Sequence, residues 1–174
     1  MLSSNQIGAL YMAISAVSFS IMDILVKLMS ISYPIGEIVF FRGFFGLIPI
    51  FFIIPKERYK NLFETKKLRL HLTRAAIGTL GMISIFLAVK YLPIAEAITI
   101  TFAAPIFATI FSMILLKEVV KLFRWVAIII GLGGVVIILK PGTELFTIYS
   151  LYPLLFCVCF GIIAVLIKKL SKTE

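Results

Sequence analysis

Residues 35–54 read IGEIVFFRGFFGLIPIFFII, a run of 20 residues in which only Glu37 and Arg42 carry charge. As a helix rising ~1.5 Å per residue, the run is long enough to cross the ~30 Å hydrocarbon core of a bilayer. A charge placed in that core costs at least about 2.5–3.5 kcal/mol on insertion scales. The stretch therefore predicts a membrane helix whose two charges need a reason to be there.

The rest of the chain has the same character. Of its 174 residues, 61% are hydrophobic and 14% charged, against about 45–50% apolar and 25% charged in soluble domains. Apolar runs at about 7–29, 35–54, 72–89, 94–116, 123–139 and 148–167 each approach the length of a span. They are continuous rather than alternating, which argues against barrel strands. The predicted fold class is all-α: a polytopic membrane helix bundle of about six transmembrane helices. The first run has no basic residue in its first six positions and exceeds a signal-peptide core, so it is expected to be a retained span. In the longest connection, about 55–71, Tyr59, Leu62 and Phe63 follow i, i+3, i+4 spacing, which predicts a short amphipathic turn on the membrane surface.

A net charge of +9 raises the question of nucleic acid, but its distribution answers otherwise. With a cytoplasmic amino terminus and six alternating helices, 13 Lys and Arg fall on the inner side and three, Lys27, Lys90 and Lys140, on the outer. That bias places both termini in the cytoplasm. The charge reads as an orientation signal, and no nucleic-acid partner is expected. Cys157 and Cys159, two apart on one helix, point to different sides and do not ligate a metal together. The one histidine, His71, has no evident catalytic partner, and no glycine loop with lysine cradles phosphate. No enzyme activity, cofactor or metal is expected.

Residues 10–30, LYMAISAVSFSIMDILVKLMS, align without gaps on 151–171, LYPLLFCVCFGIIAVLIKKLS, at an offset of 141. Eight of 21 positions are identical, among them Tyr11/Tyr152, Phe19/Phe160 and Lys27/Lys168. Five helices separate the two starts, so the second copy would enter the membrane upside down. Inverted repeats of this kind build secondary transporters whose sites lie near the midplane. The expected organisation is a five-helix repeat over 1–141 and the first helix of a second, inverted repeat over 148–174.

Taken in order, Arg42, Arg74, Gly78, Ala88, Tyr91-Leu92, Ala95 to Ala97, Pro105, Glu118, Trp125, Gly131, Gly134-Val135 and Pro141 resemble the EamA-type repeat of the drug/metabolite transporter superfamily. The resemblance implies a permease of the bacterial inner membrane. It would move a small polar metabolite, amino-acid-like or S-adenosylmethionine-like, by alternating access. Members commonly carry two repeats and ten helices. The expected partners are therefore the bilayer, a metabolite, and either a second copy or a missing second half. The alternative is a truncated, non-transporting membrane fragment or a half-transporter needing a partner.

The polar groups inside the spans are the candidate site. Glu37 and Arg42 are about 140° apart around a helix and do not share a face. Asp23 lies at nearly the depth of Arg42, about 10 Å below the outer end, and Lys27 follows it at i+4, the favourable order for an ion pair. Two readings stay open. Asp23, Lys27 and Arg42 neutralise one another and join two helices, or they line a cavity where the guanidinium receives a carboxylate or phosphate. Asp23, Glu37 and Glu96 are the acids available to couple transport to protons, although Glu37 and Glu96 also suit an interfacial role. Pro105, about 17 Å into the fourth run, removes the hydrogen bond to the Thr101 carbonyl. A freed carbonyl at that depth needs protein polar groups or a cavity beside it, and Thr99 and Thr101 are near. The kink serves packing or lines the pathway. Gly78, Gly81, Gly131, Gly134 and the Ala104/Ala108 pair are expected at close helix contacts, and Lys117 and Glu118 at the cytoplasmic interface.

Overall fold

The computed structural model describes residues 4–55, 65, 67–139 and 147–171. The runs become helices: α1 (Ser4–Met29), α2 (Ile35–Ile53), α3 (Leu68–Tyr91), α4 (Ile94–Thr101), α5 (Ala104–Leu116), α6 (Leu122–Leu139) and α7 (Leu151–Leu170), the last preceded by a 3₁₀ turn, Ile148–Ser150. Among the described residues, Asn5–Met29, Leu68–Tyr91, Ile94–Leu116 and Ile148–Leu170 are each long and apolar enough to cross a membrane. With 19 and 18 residues, α2 and α6 would reach about 27–28 Å. The protein is thus an all-helical polytopic membrane bundle. The expected surface turn at Tyr59, Leu62 and Phe63 and the boundary at Pro141 lie outside the described residues.

The fourth run is two helices. Phe102 donates its N–H to Thr99 O at 3.1 Å and Ala103 to Ile100 O at 3.0 Å. These i→i−3 bonds tighten the chain before α5 restarts with Pro105 in its first turn. Proline suits that position because it has no N–H to lose. The break thus falls just before Pro105, at Phe102–Ala103, and α4 and α5 form one interrupted span.

The centre of the bundle is α7, packed most extensively against α5 and α3, with α4 alongside. Residues 157 and 161 lie one turn apart, whereas 159 is about 200° from 157 around the axis. Cys157, Cys159 and Gly161 are all buried, so two sides of α7 are covered. On one, a Cβ added at Gly161 would lie 2.7 Å from the Phe107 carbonyl carbon and 2.9 Å from the Ala108 nitrogen. Backbone meets backbone there, and Ala104 is buried beside it. On the other, a Cβ on Gly81 would lie 3.1 Å from Cys159 Cβ, and one on Gly78 3.8 Å from Ile163. Close contact is therefore real for Gly78, Gly81 and the Ala104/Ala108 face. It is not found for Gly131 and Gly134, which have nothing within 4 Å of an added Cβ; α6 does not approach a neighbour closely at these positions.

A second core closes the end of the bundle that holds the α1–α2 and α3–α4 turns, here the upper end. Val26, Ile35, Ile38, Phe86, Ala88, Val89, Leu92 and Ala97 bury one another there, with Tyr152 against them. Tyr91, Tyr149 and Tyr152 stack nearby, the closest pair 4.7 Å apart between ring centroids. Tyrosines collected at a helix end match the aromatic belt of a bilayer interface.

Because the obstacle at Gly161 is backbone, no rotamer change relieves it. Gly161→Ala is expected to destabilise the protein by about 1–3 kcal/mol, read as a lower unfolding temperature in detergent. Gly131→Ala should be neutral or slightly stabilising. Equal effects would contradict the packing described.

Candidate functional site

The charged residues of α1 and α2 do not form the triad that their spacing allows. Lys27 reaches α3 instead, where its Nζ donates to Lys90 O at 3.0 Å and Leu92 O at 2.9 Å. It caps the carboxyl end of that helix, where a cation is favoured by the orphan carbonyls and the dipole. Arg42 also turns to α3: its guanidinium contacts Met82 Sδ and lies 5.4 Å from the centroid of the Phe86 ring, a cation–π distance. Asp23 is half-buried and within electrostatic range of Arg42. Among the described residues it makes no ion pair within 4.0 Å with Arg42 or Lys27.

Two cavities follow from this arrangement. One, about 500 Å³, lies between α1 and α2 and is lined by Met22, Tyr33, Glu37, Phe41, Arg42 and Phe45 among others. Its walls are aromatic, aliphatic and thioether, and its polar groups are the Arg42 guanidinium, the Glu37 carboxylate and the Tyr33 hydroxyl. Glu37 sits in the first turn of α2, where the helix dipole favours negative charge. A solute with a flat apolar body and an anionic or zwitterionic head matches those walls.

The second cavity, about 530 Å³, lies between α5, α6 and α7. It runs from Phe102 and Pro105 at the helix break, past Thr109 and Phe160, to Ser112, Glu118 and Lys168 at the lower end. There Glu118 forms a salt bridge with Lys168 and accepts a hydrogen bond from Ser112 Oγ at 2.7 Å. Lys117 before it takes a left-handed conformation, φ 53°, that ends α5. Glu118, expected only as an interfacial charge, thus ties α5 to α7 at the mouth of a cavity. The signal available in the sequence was the alignment of Lys168 with Lys27.

Of the other candidates, Pro105 lines the second cavity. Thr99 and Thr101 spend their hydroxyl hydrogens on their own helix, donating to Ala95 O and Ile98 O, both at 2.6 Å. The Thr101 carbonyl faces Cys157 Sγ on α7 at 3.8 Å, and Ile100 O lies 3.5 Å from the same sulfur. The thiol, read from the sequence as a small packing residue, is the polar neighbour of the freed carbonyl. Glu96, on the first turn of α4, keeps Oε1 buried without a hydrogen-bond partner among the described residues. The structure places Arg42 and Glu37 in the wall of the α1–α2 cavity, with Asp23 within electrostatic range of Arg42, and leaves Thr99, Thr101 and Pro105 at the helix break. No group of three or more potential metal ligands occurs among the described residues.

The capping role of Lys27 is testable. Lys27→Met leaves two carbonyls without their donor and should cost about 1–3 kcal/mol, with faster amide exchange in the last turn of α3. Lys27→Arg should retain most of the protection. Unchanged exchange in the methionine variant would contradict the cap.

Comparison with known proteins agrees with this architecture. Residues 6–140 match the EamA-like transporter family. The chain is 32% identical, over 99% of its length and 59% of the relative's, to an S-adenosylmethionine uptake transporter of Rickettsia bellii. It is 27% identical to a pseudopaline exporter of Pseudomonas aeruginosa, over 94% of the chain and 57% of that protein. A riboflavin transporter of Vibrio cholerae is 28% identical over 96% and 57%. The chain therefore spans little more than half the length of these relatives. No solved structure matches. With its family match covering most of its spans, the chain belongs to the EamA-like transporter family.

Proposed function

We propose that the protein works as a secondary transporter, moving a small polar metabolite across the bacterial inner membrane by alternating access, with both termini in the cytoplasm. The observation that carries this reading is Arg42: an exposed guanidinium in the wall of an aromatic cavity, on a helix otherwise built for lipid. Intramembrane charge is costly and marks a solute or ion pathway by default. The named relatives supply the solute class. An S-adenosylmethionine-like or amino-acid-like molecule offers a carboxylate for Arg42 and an apolar or ring-bearing body for Phe41, Phe45 and Met22. The charge bias of 13 inner against three outer basic residues supports the orientation.

Asp23, Glu37 and Glu96 are the acids we assign to proton coupling. Asp23 is the foremost, because a proton taken up there removes the negative charge within range of Arg42 and frees the guanidinium for a solute carboxylate. Glu96 has a buried carboxylate oxygen without a hydrogen-bond partner among the described residues.

Uptake of labelled S-adenosylmethionine by cells expressing the protein provides the test. Arg42→Ala should lower uptake about tenfold or more, the value of a charge-assisted hydrogen bond of about 1.5–3 kcal/mol, while membrane yield and monodispersity stay at the parent level. Arg42→Lys should fall between. Full uptake by the alanine variant would remove Arg42 from the pathway, and loss of the folded protein would make it a packing residue against Phe86.

A further inference from the structure

The cavity between α5, α6 and α7 plays no part in the α1–α2 site. It exists because α5 and α7 pack extensively on each other while α6 leans on α4 and touches the other two little. Gly131, in the cavity wall, has nothing within 4 Å of an added Cβ. Phe102 and Phe160 line the same wall and are exposed, so the space opens to the side of the bundle. Along α5 the lining runs from Pro105 to Leu116, a rise of about 16 Å. Half of a ~30 Å hydrocarbon core is about 15 Å. The cavity therefore has the length of one leaflet.

Its polarity is graded along that length. Towards the helix break the wall is apolar, with Phe102, Ile106, Ile128 and Leu132. The Thr109 hydroxyl donates to Pro105 O at 2.8 Å and that of Ser112 to Glu118, so neither has a hydrogen left for a ligand. A polar solute entering there would give up water without compensation, whereas a hydrocarbon chain loses nothing. The lower end is basic. Lys168 and Lys169 in the last turn of α7 are exposed, as are Lys117 and Lys121 in the connection between α5 and α6. Among these four cations stands one acid, Glu118.

We propose that this cavity is a binding site for an anionic phospholipid of the lower leaflet. One acyl chain lies along α5 up to the helix break, and the headgroup phosphate is held by Lys168, Lys117 and Lys121. A gap between helices forfeits dispersion contacts on every atom that lines it, and an acyl chain restores them. Basic pockets between helices at a membrane surface select acidic headgroups. The Glu118–Lys168 bridge is compatible with this, because an ammonium carries three donors and can hold a carboxylate and a phosphate oxygen together. The inference rests on the shape and polarity of the cavity, not on transport.

The test is retention of lipid by the purified 174-residue chain, read by native mass spectrometry in mild detergent with phosphatidylglycerol or phosphatidylcholine added. We expect one phosphatidylglycerol to be held about fivefold or more over phosphatidylcholine. Lys117→Gln combined with Lys121→Gln leaves the bridge intact and should lower phosphatidylglycerol retention about tenfold or more, at about fivefold per lysine. Phosphatidylcholine retention should not change. Gly131→Leu fills the open space and should reduce retention of both lipids about tenfold with the unfolding temperature unchanged. In vesicles, phosphatidylglycerol with a photoreactive group at the end of one acyl chain should label the peptides holding Phe102, Ile106 and Leu132 well above those of α1. Equal retention of the two lipids, or retention indifferent to the lysine pair, would overturn the proposal. So would labelling spread evenly over the lipid-facing helices, or displacement of the lipid by S-adenosylmethionine, which would make the cavity part of a solute pathway. The lysine pair and the labelling map decide the matter even where Gly131→Leu fails to fold.

Discussion

The carbonyl of Thr101 cannot be served by its own helix, because the residue four places on is Pro105 and has no N–H. In hydrocarbon an unsatisfied backbone group costs several kcal/mol, so a neighbour must come close. That neighbour is α7, which brings the Cys157 thiol within 3.8 Å of the carbonyl. A thiol is a weak donor, and it reaches only if the helices nearly touch. Gly161, one turn further along α7, permits this by letting backbone meet backbone at Phe107–Ala108. On the opposite side Cys159 settles against Gly81. The interruption of the α4–α5 span, the small residues of α7 and its central position are one connected arrangement. The second cavity begins at that interruption, with Phe102 and Pro105 in its wall.

The aligned lysines close the two ends. Lys27, near the end of α1, holds the last carbonyls of α3, and Lys168, near the end of α7, holds Glu118 just beyond α5. Each fastens the carboxyl end of a neighbouring helix, one at the upper and one at the lower end. The Glu118–Lys168 bridge is partly exposed, so its worth in water would be about 1 kcal/mol or less. A pair of that strength at a cavity mouth can open and re-form without unfolding the bundle.

Much of the fold was legible because a bilayer imposes a length. The six apolar runs became helical to within a few residues, four of them long and apolar enough to cross a membrane among the described residues, and the missing N–H of Pro105 placed the irregularity in the right run. Side-chain partners were less legible. Asp23, Lys27 and Arg42 were close in depth and spacing, and local rules favoured pairing among them, yet Lys27 and Arg42 both turned to α3. The partners of Lys27 lie 63 and 65 residues away in the chain, and nothing local announces them. The need of Thr101 for a polar neighbour was readable, but not that Cys157 would meet it. Gly131 and Gly134 share the spacing of Gly78 and Gly81 but not their contacts, because spacing shows that helices are able to approach and not that a neighbour is there.

The placement of α7 between α3 and α5 is tested most directly by a covalent bond that only this packing allows. Replacing Gly81 with cysteine sets its Cβ about 3.1 Å from Cys159 Cβ, and disulfides need about 3.5–4.5 Å, so a shift of a few tenths of an ångström suffices. Mild oxidation of Gly81→Cys in native membranes should therefore link residue 81 to residue 159, seen as a single disulfide-bonded peptide pair by mass spectrometry. A bond to Cys157 instead, or two free thiols after oxidation, would contradict the account.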